Sequence, residues 1–245
     1  MKKALITGAN KSIGFHTARL LLQQGYHVFI GSRSLENGQT AVDELKAEGL
    51  DNVEAIQLDV TDAASVALAR EAVGKKTDVL DVLINNAGIS GGMPQTPLEA
   101  SIEMFQAVYN TNVFGVVRVT QAFVDLLRKS AEPRIVNVTS GLGSLTLSAD
   151  PTWMYYNMNG GVYNSSKAAL NMYTIKLAYE LRETPFKVNA VDPGYTKTDF
   201  NHHSGPGTVE VAAARVAKYA LIGADGPTGK FFSEESNAET GYIPW

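Results

Sequence analysis

Leu5-Ile6-Thr7-Gly8-Ala9-Asn10-Lys11-Ser12-Ile13-Gly14 reads as an apolar strand that ends in a glycine turn and opens directly into a helix. Ala4, Leu5 and Ile6 form the apolar run, and Ile13, Thr17, Leu20 and Leu21 follow at helical spacing. Gly8 supplies the positive φ of a tight turn, and Gly14 lets the helix lie close to the strand. The unpaired N–H groups at the start of that helix, with the positive end of its dipole, make a cradle for an anion. A dinucleotide pyrophosphate is the usual occupant. Ser12 stands where the common G-x-G-x-x-G pattern has room for another glycine, so the motif alone is weak and the rest of the chain decides.

Outward from this turn, strand and helix alternate. Gly25 closes the first helix, and His27-Val28-Phe29-Ile30 reads as a strand stopping at Gly31-Ser32-Arg33. A helix from Leu35 to Glu48 stops at Gly49, a strand runs from Val53 to Leu58, and Asp62 caps a helix reaching about Val73. Val79 to Ile84 is nearly all apolar, as in a strand buried on both faces of a parallel sheet. Then come a long helix from Asn110 to Lys129, a strand from Arg134 to Thr139, a helix from Val162 to Leu181 and a strand from Lys187 to Val191. A helix from Val209 to Leu221 and a short strand at Phe231-Phe232 complete the pattern. The alternation predicts an α/β fold, one domain over 1–245: a single Rossmann-type, doubly wound parallel sheet of about seven strands with helices on both faces. On the long helix, Val113, Val116, Val117, Thr120, Val124 and Leu127 form the expected core face. Phe114, Ala122 and Phe123 on the other side mark either a second buried contact, as between subunits, or a partly covered helix, so monomer and homo-oligomer both stay open.

Composition narrows the function classes. With 44% hydrophobic and 19% charged residues, the 245-residue chain has the balance of a globular protein. A net charge of -4 without basic blocks recommends neither nucleic acid nor an anionic membrane as partner. The absence of cysteine excludes disulfides, thiolate catalysis and zinc-thiolate sites. Of four histidines only His202 and His203 are neighbours, a poor metal set, and no metal is expected. The apolar run after Met1-Lys2-Lys3 stops at Thr7-Gly8, too short for a signal sequence, and no stretch has the length of a membrane span. A cytoplasmic location is expected.

In an open α/β sheet, ligands bind at the carboxyl ends of the strands. Here these ends carry the glycine turn, Ser32-Arg33, Asp59-Val60, Asn85-Asn86-Ala87-Gly88, Ser140-Gly141 and Asp192-Pro193-Gly194-Tyr195-Thr196-Lys197-Thr198. A cofactor with a free ribose 2′-OH is usually held by an acid about 20 residues past the glycine turn, whereas a 2′-phosphate calls for arginine. The acid is absent, Arg33 is present, and Lys11 adds a second cation, which together favour NADP(H). Tyr163 and Lys167 lie one helical turn apart on the same face. A cation beside a phenol favours the phenolate and prepares it for proton exchange with a carbonyl or alcohol oxygen.

At these positions the chain resembles the classical short-chain dehydrogenase/reductases over nearly its whole length. The family's glycine motif is similar to Thr7-Gly8-x-x-x-Ser12-x-Gly14, its NNAG motif to Asn85-Asn86-Ala87-Gly88, and its active-site set to Asn112, Ser140, Tyr163 and Lys167. Its proline-glycine motif is similar to Pro193-Gly194-x-x-x-Thr198, and the Thr-Gly-Ala-Asn-Lys turn looks most like the carbonyl-reductase branch. The resemblance implies an NADPH-dependent reductase acting on a small-molecule ketone or aldehyde, or on the alcohol in reverse. It implies Tyr163 as the proton donor, Lys167 lowering its pKa and holding the nicotinamide ribose, Ser140 bonding the substrate oxygen and Asn112 positioning a relay water. It also implies a cofactor site of Gly8, Asn10, Lys11, Ser12, Ile13, Gly14, Ser32, Arg33, Asp59, Val60, Asn86, Ala87, Gly88, Tyr163, Lys167, Pro193, Gly194, Thr196 and Thr198.

The chain departs from the family pattern in three ways. Ser12 replaces a glycine, with a looser backbone approach expected there. Ser140 and Tyr163 are unusually far apart, and the segment from Ser144 to Gly161 holds Trp153, Met154, Tyr155, Tyr156 and Met158, which either wall an aromatic pocket or pack on the surface. The span from Gly194 to Val209 is short, so an open site is expected. Two other functions fit the same fold: a non-catalytic NADP(H)-binding sensor, or a reductase dedicated to one carrier-bound acyl chain or metabolite.

Overall fold

In strand β1 (Lys3–Thr7), Ala4 and Ile6 turn to one face and Leu5 to the other, because successive side chains of a strand alternate. The same alternation in every inner strand divides the apolar residues into two cores. Ala4, Ile6, Val28, Ile30, Val82, Ile84 and Val136 lie beneath helices α1 (Ser12–Gln23), α2 (Leu35–Ala47) and α8 (Val209–Ala220). Leu5, Phe29, Ile56, Leu83, Ile135 and Val188 lie against α3 (Ala63–Gly74), α5 (Val116–Leu127) and α7 (Gly161–Glu180). Burial on both faces explains why the strands read as continuous apolar runs. No helix is long and apolar enough to cross a membrane. The computed structural model describes all residues from 1 to 245.

The remaining strands are β2 (His27–Ser32), β3 (Val53–Gln57), β4 (Val82–Asn85), β5 (Arg134–Val138), β6 (Lys187–Val191) and β7 (Phe231–Phe232). All seven form one parallel sheet in the order β3-β2-β1-β4-β5-β6-β7. The order reverses at β1, which pairs Ile6 with Ile30 of β2 on one side and with Ile84 of β4 on the other. Connections leave in opposite directions from this point, so a crevice opens above the carboxyl ends of β1 and β4.

Several elements differ from the sequence reading. β4 begins at Val82, not Val79, because Thr77 closes a local turn, its hydroxyl donating to the Val79 carbonyl at 2.8 Å. Helix α4 (Ile102–Tyr109) was not foreseen, although Ser101 caps it by accepting from the Met104 N–H at 3.2 Å. A single π-helical stretch, Asn110–Gly115, joins it to α5. Within α5, Phe123 is seven residues past Val116, three past Thr120 and four before Leu127, so ordinary helical spacing turns it to the same face as these buried residues. It is fully buried in the core under the sheet, not on the outer side, while Phe114 stays exposed. Helix α6 (Leu145–Ser148) occupies the start of the long segment between Ser140 and Tyr163.

Truncating Phe123 to alanine is expected to destabilise the fold by about 3–5 kcal/mol in urea unfolding, as for other buried aromatics. A loss below about 1 kcal/mol would contradict the inward placement.

Candidate active site

The glycine turn after β1 is built by contacts from the next strand over. The Asn86 side chain donates to the Thr7 carbonyl at 2.9 Å and the Gly8 carbonyl at 3.0 Å. The Thr7 hydroxyl accepts from the Asn86 and Ala87 N–H groups, each at 3.0 Å. Asn86 thus acts here as a clamp between β1 and β4. At Gly14 an added Cβ would lie 2.6 Å from Asn86 Nδ2 and 2.8 Å from the Gly8 carbonyl, so no larger residue fits without displacing backbone. Ser12, where a glycine was expected, holds φ at 52°, a left-handed conformation that costs a side-chain-bearing residue roughly 1–2 kcal/mol. The backbone path is thus the one a glycine would take. Ser34, Asp62, Ser101 and Thr208 cap α2, α3, α4 and α8, whereas α1 has no side-chain cap and its first N–H groups face the crevice.

Around this turn the other strand ends contribute polar groups. Ser32 is buried at the end of β2 and Arg33 beyond it is exposed. Asp59 Oδ1 accepts from the Thr61 N–H at 2.9 Å and hydroxyl at 2.7 Å, which orients the carboxylate, and the Val60 carbonyl accepts from Arg118 at 3.2 Å. Past β6, the Pro193 carbonyl accepts from Arg215 at 2.8 Å, and the Thr196 hydroxyl donates to the Gly194 carbonyl at 3.0 Å. Thr198 caps a 3₁₀ turn, Asp199–Asn201, its N–H donating to Asn201 Oδ1 at 3.2 Å. Lys11 is drawn toward this turn: its ammonium meets Asp199 at 2.8 Å, and His203 meets the other oxygen of the same carboxylate at 3.0 Å.

Asn112, Ser140, Tyr163 and Lys167 come together beside the turn. Asn112 sits in the π-helical stretch, where its side chain accepts from the Ile89 N–H and donates to the Ile89 carbonyl, both at 2.9 Å, and donates to Ser166 Oγ at 3.1 Å. A Cβ on Gly88 would be 3.3 Å from Asn112 Oδ1 and 3.8 Å from Lys167 Nζ, so these two polar groups flank one spot. The Ser140 hydroxyl accepts from the Leu142 N–H at 3.2 Å, which leaves its own proton to donate. Lys167 Nζ donates to the Val138 carbonyl at 2.9 Å and lies 5.6 Å from the centre of the Tyr163 ring. The approach of α7 to the turn after β5 is close, since a Cβ on Gly143 would be 2.8 Å from Lys167 Cβ.

Burial sets the proton affinities in this cluster. Removal from water pushes the Lys167 ammonium down to about 8, with the charge of Asp192 acting against the fall. Tyr163 moves upward, chiefly through burial and then through Asp192, while the bond from Ser140 favours the phenolate. The lowering expected from Lys167 is not found: burial dominates at Tyr163, and Lys167 is not among the groups that move it.

The long segment after Ser140 divides by side. Trp153 and Tyr155 turn inward, edge to face at 5.4 Å, and Tyr155 meets Tyr195 at 6.2 Å; Met154, Tyr156 and Met158 stay exposed. Tyr155 also donates to Glu235 at 3.1 Å. Despite the short span before α8, Phe200 covers part of the site, its ring 5.5 Å from that of Tyr163. Asp199, Phe200 and Glu235 were not among the sequence candidates. Asp199 had a signal in its place directly after Thr198, but Glu235 joins the site only through tertiary contacts.

The family model for short chain dehydrogenases matches residues 2–208. The chain belongs to the short-chain dehydrogenase/reductase family. It is 33% identical to (-)-isopiperitenone reductase of Mentha piperita, across 95% of this chain and 96% of that one. Among solved structures, salutaridine reductase from Papaver somniferum superposes with a TM-score of 0.83 at 30% identity, over 95% of this chain and all of that one. The NADPH-bound carbonyl reductase from chicken fatty liver gives 0.84 at 27% identity, over 100% and 99%.

Replacing Gly14 by alanine is expected to lower the thermal midpoint by several degrees and to loosen the Asn86 clamp, visible as faster amide exchange at Gly8 and Ala87. An unchanged midpoint would show that the turn tolerates the added methyl group.

Proposed function

We propose that this protein interconverts a ketone or aldehyde and its alcohol by hydride exchange with NADP(H), with Tyr163 as general acid/base. The observation that carries the proposal is the convergence of Asn112, Ser140, Tyr163 and Lys167 beside an uncapped helix start and a glycine turn. The family relation and the NADPH-bound chicken enzyme support it.

The residues present fit the cofactor. The N–H groups at the start of α1 suit a pyrophosphate, Arg33 has no carboxylate partner, and Asp59 has one carboxylate oxygen beyond those bonds to Thr61. Arg33 and Lys11 would meet the 2′-phosphate, Lys11 exchanging its exposed pairing with Asp199 for that contact. When bound, NADPH supplies the hydride, and the protein's part is to hold and orient the reactants. Ser140 would turn its proton from Tyr163 to the substrate oxygen, and Tyr163 gives its proton to that oxygen as negative charge develops on it. Lys167 stabilises the resulting phenolate, and Asn112 fixes the backbone near Ile89 and Lys167. Trp153, Tyr155, Tyr195 and Phe200 form an aromatic wall that suits an apolar, ring-bearing carbonyl compound.

Reduction needs the Tyr163 proton and the Lys167 ammonium. Since burial raises the first group and brings the second down to about 8, reduction is expected to decline as pH rises through about 8, while alcohol oxidation climbs with pH. Steady-state rates with NADPH across a panel of aromatic and aliphatic ketones, aldehydes and quinones test the reading. Turnover favouring NADPH over NADH is expected, and protein that binds NADPH yet reduces nothing in the panel would overturn it. Arg33→Ala should raise the NADPH KM about tenfold or more, the loss of one charge-assisted contact, and leave the NADH KM nearly unchanged. Equal effects on both cofactors would place Arg33 elsewhere.

A further inference from the structure

The helix that carries Tyr163 starts without a cap of its own. Gly160, in the N-cap position of α7, has no side chain to offer, whereas Ser34, Asp62, Ser101 and Thr208 close α2, α3, α4 and α8 from their own N-cap positions. The first N–H groups of an α-helix have no partners within it, and burying one of them unpaired is costly. At α7 the partners come from a residue 68 positions before Tyr163 in the chain. Gln95 Oε1 accepts from the Tyr163 N–H at 3.1 Å, and the Gln95 backbone carbonyl accepts from the Gly161 N–H at 2.8 Å. Tyr163 is the third residue of the helix, where a capping side chain ordinarily takes the N–H.

The same side chain reaches back toward the cofactor crevice. Gln95 Nε2 donates to the Ser90 carbonyl at 2.6 Å and to the Gly92 carbonyl at 2.7 Å, both in the loop that follows Asn86-Ala87-Gly88. The Tyr163 N–H can only donate and the two carbonyls can only accept, so the position demands one acceptor and two donors from one side chain. A primary amide meets that demand, and its orientation is fixed by the partners. At 5% exposure, Gln95 leaves water little access to replace these bonds. The packing is equally close: a Cβ on Gly161 would lie 3.1 Å from the Gln95 carbonyl oxygen and 3.0 Å from Pro97 Cγ. One turn further along α7, the Ser166 hydroxyl donates to the Tyr163 carbonyl at 2.7 Å. The backbone of Tyr163 is thus held on both sides, its N–H by Gln95 and its carbonyl by Ser166.

We propose that Gln95 is a positioning residue for Tyr163, capping α7 from outside the helix and tying its first turn to the loop that borders the cofactor crevice. A side chain in a first helical turn inherits any fraying there. Misplacing a reacting group by roughly 1 Å costs on the order of a hundredfold in rate. The bearing of Gln95 on turnover rests on the role proposed above for Tyr163, but the cap itself does not.

Amide exchange in the wild-type protein tests the cap directly. The Tyr163 N–H should be protected about tenfold or more beyond the Gly14 N–H, which holds the same third position in the uncapped helix α1. Gln95→Met, similar in length but without the amide, should lower kcat about ten- to a hundredfold for a ketone that the wild type reduces, with the NADPH dissociation constant within about twofold. Gln95→Glu keeps the acceptor for the Tyr163 N–H and should lose less. If Gln95→Met does not fold, the exchange comparison stands without it. A Tyr163 N–H that exchanges as fast as that of Gly14 would overturn the proposal. So would a folded Gln95→Met protein with a lowered thermal midpoint and wild-type kcat, the mark of a purely structural cap, or a Gln95→Glu protein as impaired as Gln95→Met. Turnover that survives Tyr163→Phe would defeat the function assigned to Tyr163 and leave the exchange result standing.

Discussion

A lysine ammonium held out of water between β5 and α7 is the contact on which the site turns. Lys167 reaches the Val138 carbonyl only because Gly143 lets the helix come within contact of the turn after β5. Burial of that cation is costly unless its protons are used, and one of them is spent on a backbone oxygen beyond the ladder. The bond fixes the register of α7 against the sheet, and with it the place of Tyr163 one turn earlier on the same face. Ser166, between them, accepts from Asn112, so the π-helical stretch is tied to the same helical turn.

The sheet explains why polar chemistry gathers at one edge. With both faces covered by helices, side chains within the strands are almost all apolar, and hydrogen-bonding groups are accommodated at the strand ends. Three of the exceptions inside are linked in a chain: Asn85 donates to Asn137 at 2.8 Å and to Thr120 at 3.2 Å, and Asn137 donates to Thr174 at 2.9 Å. These bonds join β4 and β5 to α5 and α7, making the floor beneath the site rigid. Above it, Asn86 holds the glycine turn and Asp192 joins the turn after β6 to the segment after β7. Both clamps bridge neighbouring strand ends, which is how a few short turns keep the site in place.

Most of the frame was legible in the sequence because it depends on local signals. Apolar runs of strand length, glycine stops and the Asp62 cap each mark an element independently of the rest; five of the seven strands lie within a residue of their expected positions, and β2 runs two residues past its expected end. The orientation of Phe123 was legible but assigned to the wrong side: its spacing from Val116, Thr120 and Leu127 puts it on their face of α5. The engagement of Lys11 by Asp199 joins residues 188 positions apart, and that of Tyr155 by Glu235 joins residues 80 apart, so neither leaves a mark in local pattern. The upward move of Tyr163 likewise depends on how much protein surrounds the phenol, which the spacing of Tyr163 and Lys167 does not report. Ser12 illustrates the opposite case: the residue type departs from a motif while the backbone keeps the motif's conformation.

The most direct measurement compares wild-type and Tyr163→Phe protein in NADPH binding by fluorescence and in kcat for a ketone that the wild type reduces. If Tyr163 is the proton donor, kcat falls by about 10²–10⁴ while the NADPH dissociation constant changes little. A Tyr163→Phe protein that binds NADPH equally well and reduces the ketone at the wild-type rate would contradict it.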